Sequence, residues 1–245
     1  MTASAAPPRP SIAVIGGGIN GLCSAWELAR RGARVTLFER GELMHETSRN
    51  SSKMLHGGVR YLENLEIRLV YEALRERAWW LQRCPHLSRE MRLVMPVYDD
   101  GPRPRWMLKA GLTLYDLLAG KQNLTPHRWL GREQLLQLDP GLKANGLQGG
   151  FHYSDGQMDD YRLGLWVADR AREAGAEILE NTEVQSLSVD GRVTTAGQSR
   201  DFDAIANVAG PWAEQLLRQS GVPSPMHLDL IRGSHILFAG EPAQP

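Results

Sequence analysis

The sequence offers little from which to build a covalent or metal-tied frame. Its two cysteines, Cys23 and Cys84, are too few for a disulfide scaffold and lack metal-ligand spacing. That favours a reducing compartment and reads both as buried packing thiols. A surplus of charge is also missing. The 28 Lys and Arg balance 28 Asp and Glu, so no overall field draws nucleic acid or an anionic membrane, and any anion site must be local. No apolar run approaches the roughly 20 residues needed to span a bilayer. The opening MTASAAPPRP has no apolar core, and reads as a disordered tail and not a signal peptide. His45, His86, His127, His152 and His227 show no ligand spacing, so no metal is expected.

What remains is an ordinary globular composition, 42% hydrophobic and 23% charged, long enough for one large or two modest domains. SIAVIGG reads as a buried parallel strand ending in glycines. A helix follows from Ile19 to Arg31, with Leu22, Ala25, Trp26 and Ala29 on one face and Gly32 to end it. ARVTLFE is then the second strand of a βαβ unit. NLEIRLVYEALRERAWWLQRC predicts a long helix with Leu65, Leu69, Ala73 and Leu81 near its inner face, and with Glu66, Arg68, Glu72, Arg75 and Glu76 in solvent. MRLVMPVY reads as a strand. WMLKAGLTLYDLLAG is an apolar helix, either a packing or dimer helix or one lying in a membrane surface. GGFHYSDGQMDD is expected to be a strand and a turn, residues 161–174 a helix closed by Gly175, and Asp190-Gly191 a turn between strands. FDAIANVAGPWAEQLL gives a strand, a glycine, a proline in the first turn and a helix. DLIRGSHILFAG predicts a last strand.

The chemistry begins at Gly16, Gly18 and Gly21, a G-x-G-x-x-G placed directly between strand and helix. The first glycine permits a tight turn, the second lets backbone approach a pyrophosphate, and the third allows close helix packing. A pyrophosphate is favoured at the helix N-terminus by free N–H groups and the dipole. Glu39, 18 residues after Gly21, stands where it can accept from an adenosine ribose, and its charge disfavours the 2′-phosphate of NADP. The next stretch, HETSRNSSKMLHGGVRYLE, carries hydroxyls at Thr47, Ser48, Ser51 and Ser52 for ribityl or phosphate oxygens. Its Gly57 and Gly58 bare the backbone for a flat ring. That favours a flavin over NAD, and Gly210 at the end of AIANVAG brings a second bare backbone to the same crevice.

AVIGGGINGL, TSRNSSKMLHGGVRYLE, EALRERAWWLQRCPHL, YSDGQMDDYRL, NVAGPWA and IRGSHI, in that order from about residue 11 to 239, resemble the FAD-dependent respiratory glycerol-3-phosphate dehydrogenases. These belong to the glycine oxidase and D-amino-acid oxidase fold group. The fold class implied is α/β, α+β overall: a Rossmann-like FAD-binding domain interleaved with an incomplete antiparallel-sheet substrate domain. The implied division is a tail over 1–10, the FAD-binding βαβ unit and following helix over 11–90, and the start of the substrate domain over 91–150. A return to the FAD-binding domain over 151–221 and the beginning of a truncated strand region over 222–245 complete it. Family members continue past the point where this sequence stops, so the chain reads as a C-terminally truncated product whose own activity is in doubt.

The resemblance implies oxidation of glycerol 3-phosphate to dihydroxyacetone phosphate, with hydride passing from C2 to flavin N5 and electrons going on to quinone. The cofactor site would take in Gly17, Ile19 and Asn20 of the glycine turn, Arg40 beside Glu39, and Val184. His235 is the first candidate for the base and His56 the second, each with a structural, hydrogen-bonded histidine as its alternative. Lys53, Arg60 and Tyr61 are candidates for the substrate phosphate or for charge on reduced flavin. The bland alternative for the two cations is pairing with a carboxylate such as Glu63. Partners implied are the quinone, a peripheral contact on the inner face of the cytoplasmic membrane, and a homodimer, with no nucleic acid. Amine or 2-hydroxy acid oxidation, an NAD-linked dehydrogenase, and a nonenzymatic flavin-binding fragment remain the competing readings.

Overall fold

The computed structural model describes residues 9–224, 227–231 and 233–235. Contacts divide the chain into two units, Met1–Ser51 with Asp160–Ser234, and Ser52–Asp159 with His235–Pro245.

In the first unit β1 (Ser11–Ile15) and β2 (Arg34–Phe38) run parallel, joined by α1 (Ile19–Arg30). The sheet extends with β7 (Glu177–Leu179) beside β2 and β11 (Ala204–Asn207) beside β1, in the order β11-β1-β2-β7. Every pairing is parallel. Val14 and Leu37, opposite one another, are fully buried, as expected of strands covered on both faces. On α1 the buried residues are Gly21, Leu22, Ala25 and Ala29. Trp26 is half-buried and meets Trp166 of α5 (Asp160–Glu173) edge-on at 5.7 Å. The neighbouring Cys23 is also half-buried, unlike the fully buried Cys84, so only one of the two thiols is the core thiol expected. β8 (Val184–Leu187), β9 (Arg192–Thr195) and β10 (Gln198–Asp201) make a separate antiparallel sheet. After β11 the proline opens a 3-10 turn, Gly210–Trp212, before α6 (Ala213–Gln219).

The second unit is a sheet of β3 (Met54–Leu55), β4 (Ser88–Tyr98), β5 (Arg128–Gly131) and β6 (Leu147–Met158), all antiparallel. Helices α2 (Ile67–Arg83), α3 (Arg105–Ala119) and α4 (Arg132–Leu138) complete it. β3 and β4 both pair with β6, and residues 52–90 and 151–159, grouped above with the cofactor-binding part, fall in this unit instead.

Three expectations are corrected. Residues 149–158 form no turn: Ser154, Asp155 and Gly156 continue β6 opposite Arg92, Met91 and Glu90, because a strand with neighbours on both edges is held straight by its ladder despite turn-forming residues. The buried stripe of α2 is Val70, Leu74, Arg77 and Ala78, while Leu65 and Leu69 are exposed. An arginine occupying an inward position had shifted the apparent phase. Glu66, Arg68, Glu72, Arg75 and Glu76 do lie in solvent. The strand expected over 229–240 is absent from its described part, 229–231 and 233–235, where no neighbouring strand supplies a ladder. Residues 232 and 236–240 lie outside the described residues.

Candidate cofactor site

The carboxyl ends of β1 and β11 and the N-terminus of α1 meet around the glycine turn. Gly16 adopts φ +114°, its N–H donates to Phe38 O at 2.9 Å, and a Cβ there would stand 2.6 Å from Val208 O. At Gly21 a Cβ would lie 1.8 Å from Gly16 O, so α1 can enter this close to the strand only with glycine. Glu39 braces the turn: one carboxylate oxygen accepts from Gly17 N at 2.6 Å and the other from Gly41 N at 2.9 Å. A carboxylate has about four acceptor sites, so two backbone donors leave it able to take ribose hydroxyls as well.

Ser48 Oγ accepts from Ile19 N at 3.0 Å and so touches the helix N-terminus. The N-cap residue, Gly18, has no side-chain cap, and the first turn carries no acid. Within α1 itself no acid offsets the positive end of the dipole, and the one carboxylate bonded beside it is that of Glu39, on Gly17 N. These groups line a cavity of about 260 Å³, whose wall includes Gly16, Gly17, Gly18, Asn20, Glu39, Arg40, Thr47, Ser48, Val184 and Gly210. Ten of the sequence candidates thus converge on one cleft. Ile19 and Gly21 lie just behind it in α1.

The sequence reading missed other parts of the wall. Trp212 lies in the wall with the Arg40 guanidinium 4.0 Å from its ring centroid, an arrangement that presents a flat cationic and aromatic face. Glu42, Glu46 and Glu183 join Glu39 there, so a 2′-phosphate meets several carboxylates. The tryptophan was legible only as part of NVAGPWA, and no local pattern announced Glu183.

Other candidates are placed differently. Ser51 Oγ donates to Asp160 at 2.7 Å and ties this segment to the start of α5; it does not line the cleft, because its hydroxyl closes a bond inside the fold. Ser52 is exposed and belongs to the second unit with Lys53, His56, Gly57, Gly58, Arg60 and Tyr61. Lys53 holds φ +58°, and its carbonyl accepts from Met158 N. Arg60 and Tyr61 sit exposed on a 3-10 turn, Val59–Asn64, and His56 is exposed just before it. Glu63, the carboxylate suggested for the two cations, pairs with Arg103 at 2.7 Å. Gly57 is buried: a Cβ would come within 2.4 Å of Leu74 and of the Tyr115 hydroxyl, and at Gly58 it would meet the ring of Tyr61. Both glycines therefore have a packing reason within their own unit. His235 is exposed and outside regular structure.

Residues 11–245 match the DAO family, described as FAD dependent oxidoreductase. The chain belongs to that family. Among curated relatives, D-erythritol 1-phosphate dehydrogenase of Brucella abortus is 40% identical over 243 residues, covering 95% of this chain and 48% of that protein. Glycerol-3-phosphate dehydrogenase of Pseudomonas tolaasii is 39% identical, covering 95% and 46%. The chain thus spans about half the length of these relatives. The solved glycerol-3-phosphate dehydrogenase of Bacillus halodurans, complexed with FAD, superposes with a TM-score of 0.62 at 24% identity, covering 87% of this chain and 36% of that one. At that identity the match is one of fold. The family's α/β architecture, with a parallel sheet opening on a glycine turn, is the one present here.

Proposed function

We propose that the cleft of the first unit takes the adenosine and pyrophosphate of FAD and that the protein is a dehydrogenase of polyol phosphates, glycerol 3-phosphate foremost. The observation that carries this is the glycine turn braced by Glu39 in a member of an FAD-dependent family. Gly16, Gly17, Gly18, Ile19, Asn20 and Gly21 would offer bare backbone and a helix end to the pyrophosphate, and Glu39 the ribose acceptor. Arg40, Thr47, Ser48, Val184 and Gly210 would line the remainder. Bound FAD supplies the hydride acceptor. In the second unit Lys53, Arg60 and Tyr61 would bind the phosphate, and His56 or His235 would take the hydroxyl proton.

Relatives of nearly equal identity are named for glycerol 3-phosphate and for D-erythritol 1-phosphate. That favours a secondary alcohol near a phosphate as the substrate class and leaves chain length open. Transfer to quinone at a membrane surface is the expected sequel. No helix among the described residues is long and apolar enough to cross a membrane, but α3 exposes Trp106, Leu114 and Leu117 along one face, with Lys109 among them. That face would serve either a peripheral contact or a homodimer.

The test has two stages. Protein purified with added FAD should show the visible flavin bands, and dye reduction should follow glycerol 3-phosphate or erythritol 1-phosphate. Reduction by glycine or sarcosine instead would make it an amine oxidase. Protein that stays colourless at saturating FAD would end the cofactor assignment for this chain.

A further inference from the structure

The second unit contains a charge cluster that the proposed chemistry does not touch. Arg77 on α2 is 1% exposed, Asp155 on β6 2% and Tyr115 on α3 1%. Arg77 Nη1 donates to Asp155 Oδ1 at 2.9 Å, and the Tyr115 hydroxyl donates to Asp155 Oδ2 at 2.9 Å. The guanidinium lies 5.7 Å from the Tyr115 ring centroid. The last member is backbone: the N–H of Gly57 is shared between the Tyr115 hydroxyl at 2.9 Å and Asp155 Oδ1 at 3.1 Å. Two helices and a strand therefore converge on one amide of the segment that carries Lys53, His56, Arg60 and Tyr61.

This is an expensive way to hold a core together. A buried ion pair contributes less than well-packed apolar residues of the same volume, because desolvation offsets the attraction. Arg77 also leaves Nε and Nη2 without a hydrogen-bond partner. What apolar residues cannot do is accept from a particular N–H. Nor can the segment approach with any residue but glycine at that point, since a Cβ on Gly57 would lie 2.4 Å from the Tyr115 hydroxyl. Burial and the adjacent carboxylate push the Tyr115 hydroxyl well above the ordinary phenol range, so it stays protonated and keeps donating to Asp155.

The geometry points to Arg77, Asp155 and Tyr115 as positioning residues that fix the Gly57 amide and, through it, the His56 and Arg60–Tyr61 side chains. Their role as positioners of a phosphate-binding segment rests on the function proposed above, whereas their hold on the segment does not.

Two variants separate position from stability. Tyr115→Phe keeps the ring and removes one acceptor. The triple variant Arg77→Met, Asp155→Leu, Tyr115→Phe replaces the whole cluster by apolar side chains. Amide exchange is followed on the ligand-free full chain. In Tyr115→Phe, the Gly57 amide should exchange on the order of tenfold faster, with the glycine turn of the first unit unchanged. In the triple variant the same acceleration should spread over 53–61 while the urea midpoint stays at or above that of the parent. If the triple variant does not fold, Tyr115→Phe alone decides. Unchanged exchange at Gly57, or acceleration spread evenly over both units, would overturn the inference.

With FAD present, Tyr115→Phe should raise KM for glycerol 3-phosphate severalfold with flavin retention unchanged. A parent protein that never oxidises glycerol 3-phosphate would defeat the proposed function, while the exchange data would still decide the hold on the segment.

Discussion

Two groups of glycines look alike in the sequence and do opposite work. Around Gly16–Gly21 the missing side chains let a strand, a turn and a helix end crowd together beside an open cleft, on whose wall Gly16, Gly17 and Gly18 all lie. At Gly57 the missing side chain lets the protein's own Tyr115 and Leu74 close in, and the amide ends in a buried ionic cluster. The first group borders open space, whereas the space beside Gly57 is filled by the protein's own side chains. A glycine pair beside basic residues is therefore ambiguous until the residues facing it are known, and those residues come from α2, α3 and β6, at positions remote in sequence.

The sharpest way to break the comparison is to remove a charge from the second group. Asp155→Ala leaves Arg77 buried without its counter-charge, and should cost about 3–5 kcal/mol in urea unfolding. Limited proteolysis should find the damage in the second unit. Next is Gly21→Ala, whose methyl would stand 1.8 Å from Gly16 O; about 3 kcal/mol or more is expected, with loss of FAD retention. Gly210→Ala is its control. Gly210 has φ +55° but open space around its Cβ position, so only the backbone strain of about 1–2 kcal/mol applies. Equal losses for the two alanines would mean that contact with Gly16 is not what demands glycine at 21.

Much of the first group's role was legible because it is local. A strand, G-x-G-x-x-G, a helix stripe and Glu39 fall within about 30 residues, and the cleft gathers the predicted Gly16, Gly18, Glu39 and Ser48. The second group was not legible in that way. EALRERAWWLQRC shows many charges, and nothing local distinguishes the buried Arg77 from the exposed Arg75 two residues earlier. With an arginine at an inward position, the apolar residues alone point to a stripe through Leu65 and Leu69, and the buried stripe runs through Val70, Leu74, Arg77 and Ala78. YSDG carries strong turn chemistry, yet Asp155 belongs to the middle of a sheet because its partners lie 40 and 78 residues away. Tertiary pairing overrides local preference wherever a strand has neighbours on both edges.

Glu39→Gln probes the first group more gently. The amide keeps one acceptor oxygen but turns an NH2 toward the N–H of Gly17 or Gly41, so both the brace and the ribose acceptor are weakened. A loss of about ten- to hundredfold in FAD affinity is expected from a charge-assisted bond, with little change in the second unit. Measured against Tyr115→Phe, it should produce the inverse pattern: flavin retention falls and exchange at Gly57 stays as it was. The two variants moving both readouts together would dissolve the distinction between the groups.

The smallest effect expected concerns a different buried polar group of the second unit. His152 is 5% exposed in β6, and neither ring nitrogen has a hydrogen-bond partner. Burial lowers its affinity for a proton, and the positive charges of Arg92 and Arg128 lower it further, so the folded state keeps the ring neutral below the usual imidazole range. The sign follows from linkage. Above about pH 6.5 both folded and unfolded chains hold the ring neutral, and pH has no purchase through this group. As pH falls below that value the unfolded chain gains a proton that the fold refuses, so stability declines until the lowered folded value is passed, and then levels. His152→Leu should remove this part of the acid sensitivity. Between pH 7.5 and 5.5 the midpoint of the variant should rise relative to that of the parent. A constant gap would show that His152 takes up a proton in the fold as readily as in the unfolded chain, and that burial beside two arginines imposes no restraint on it.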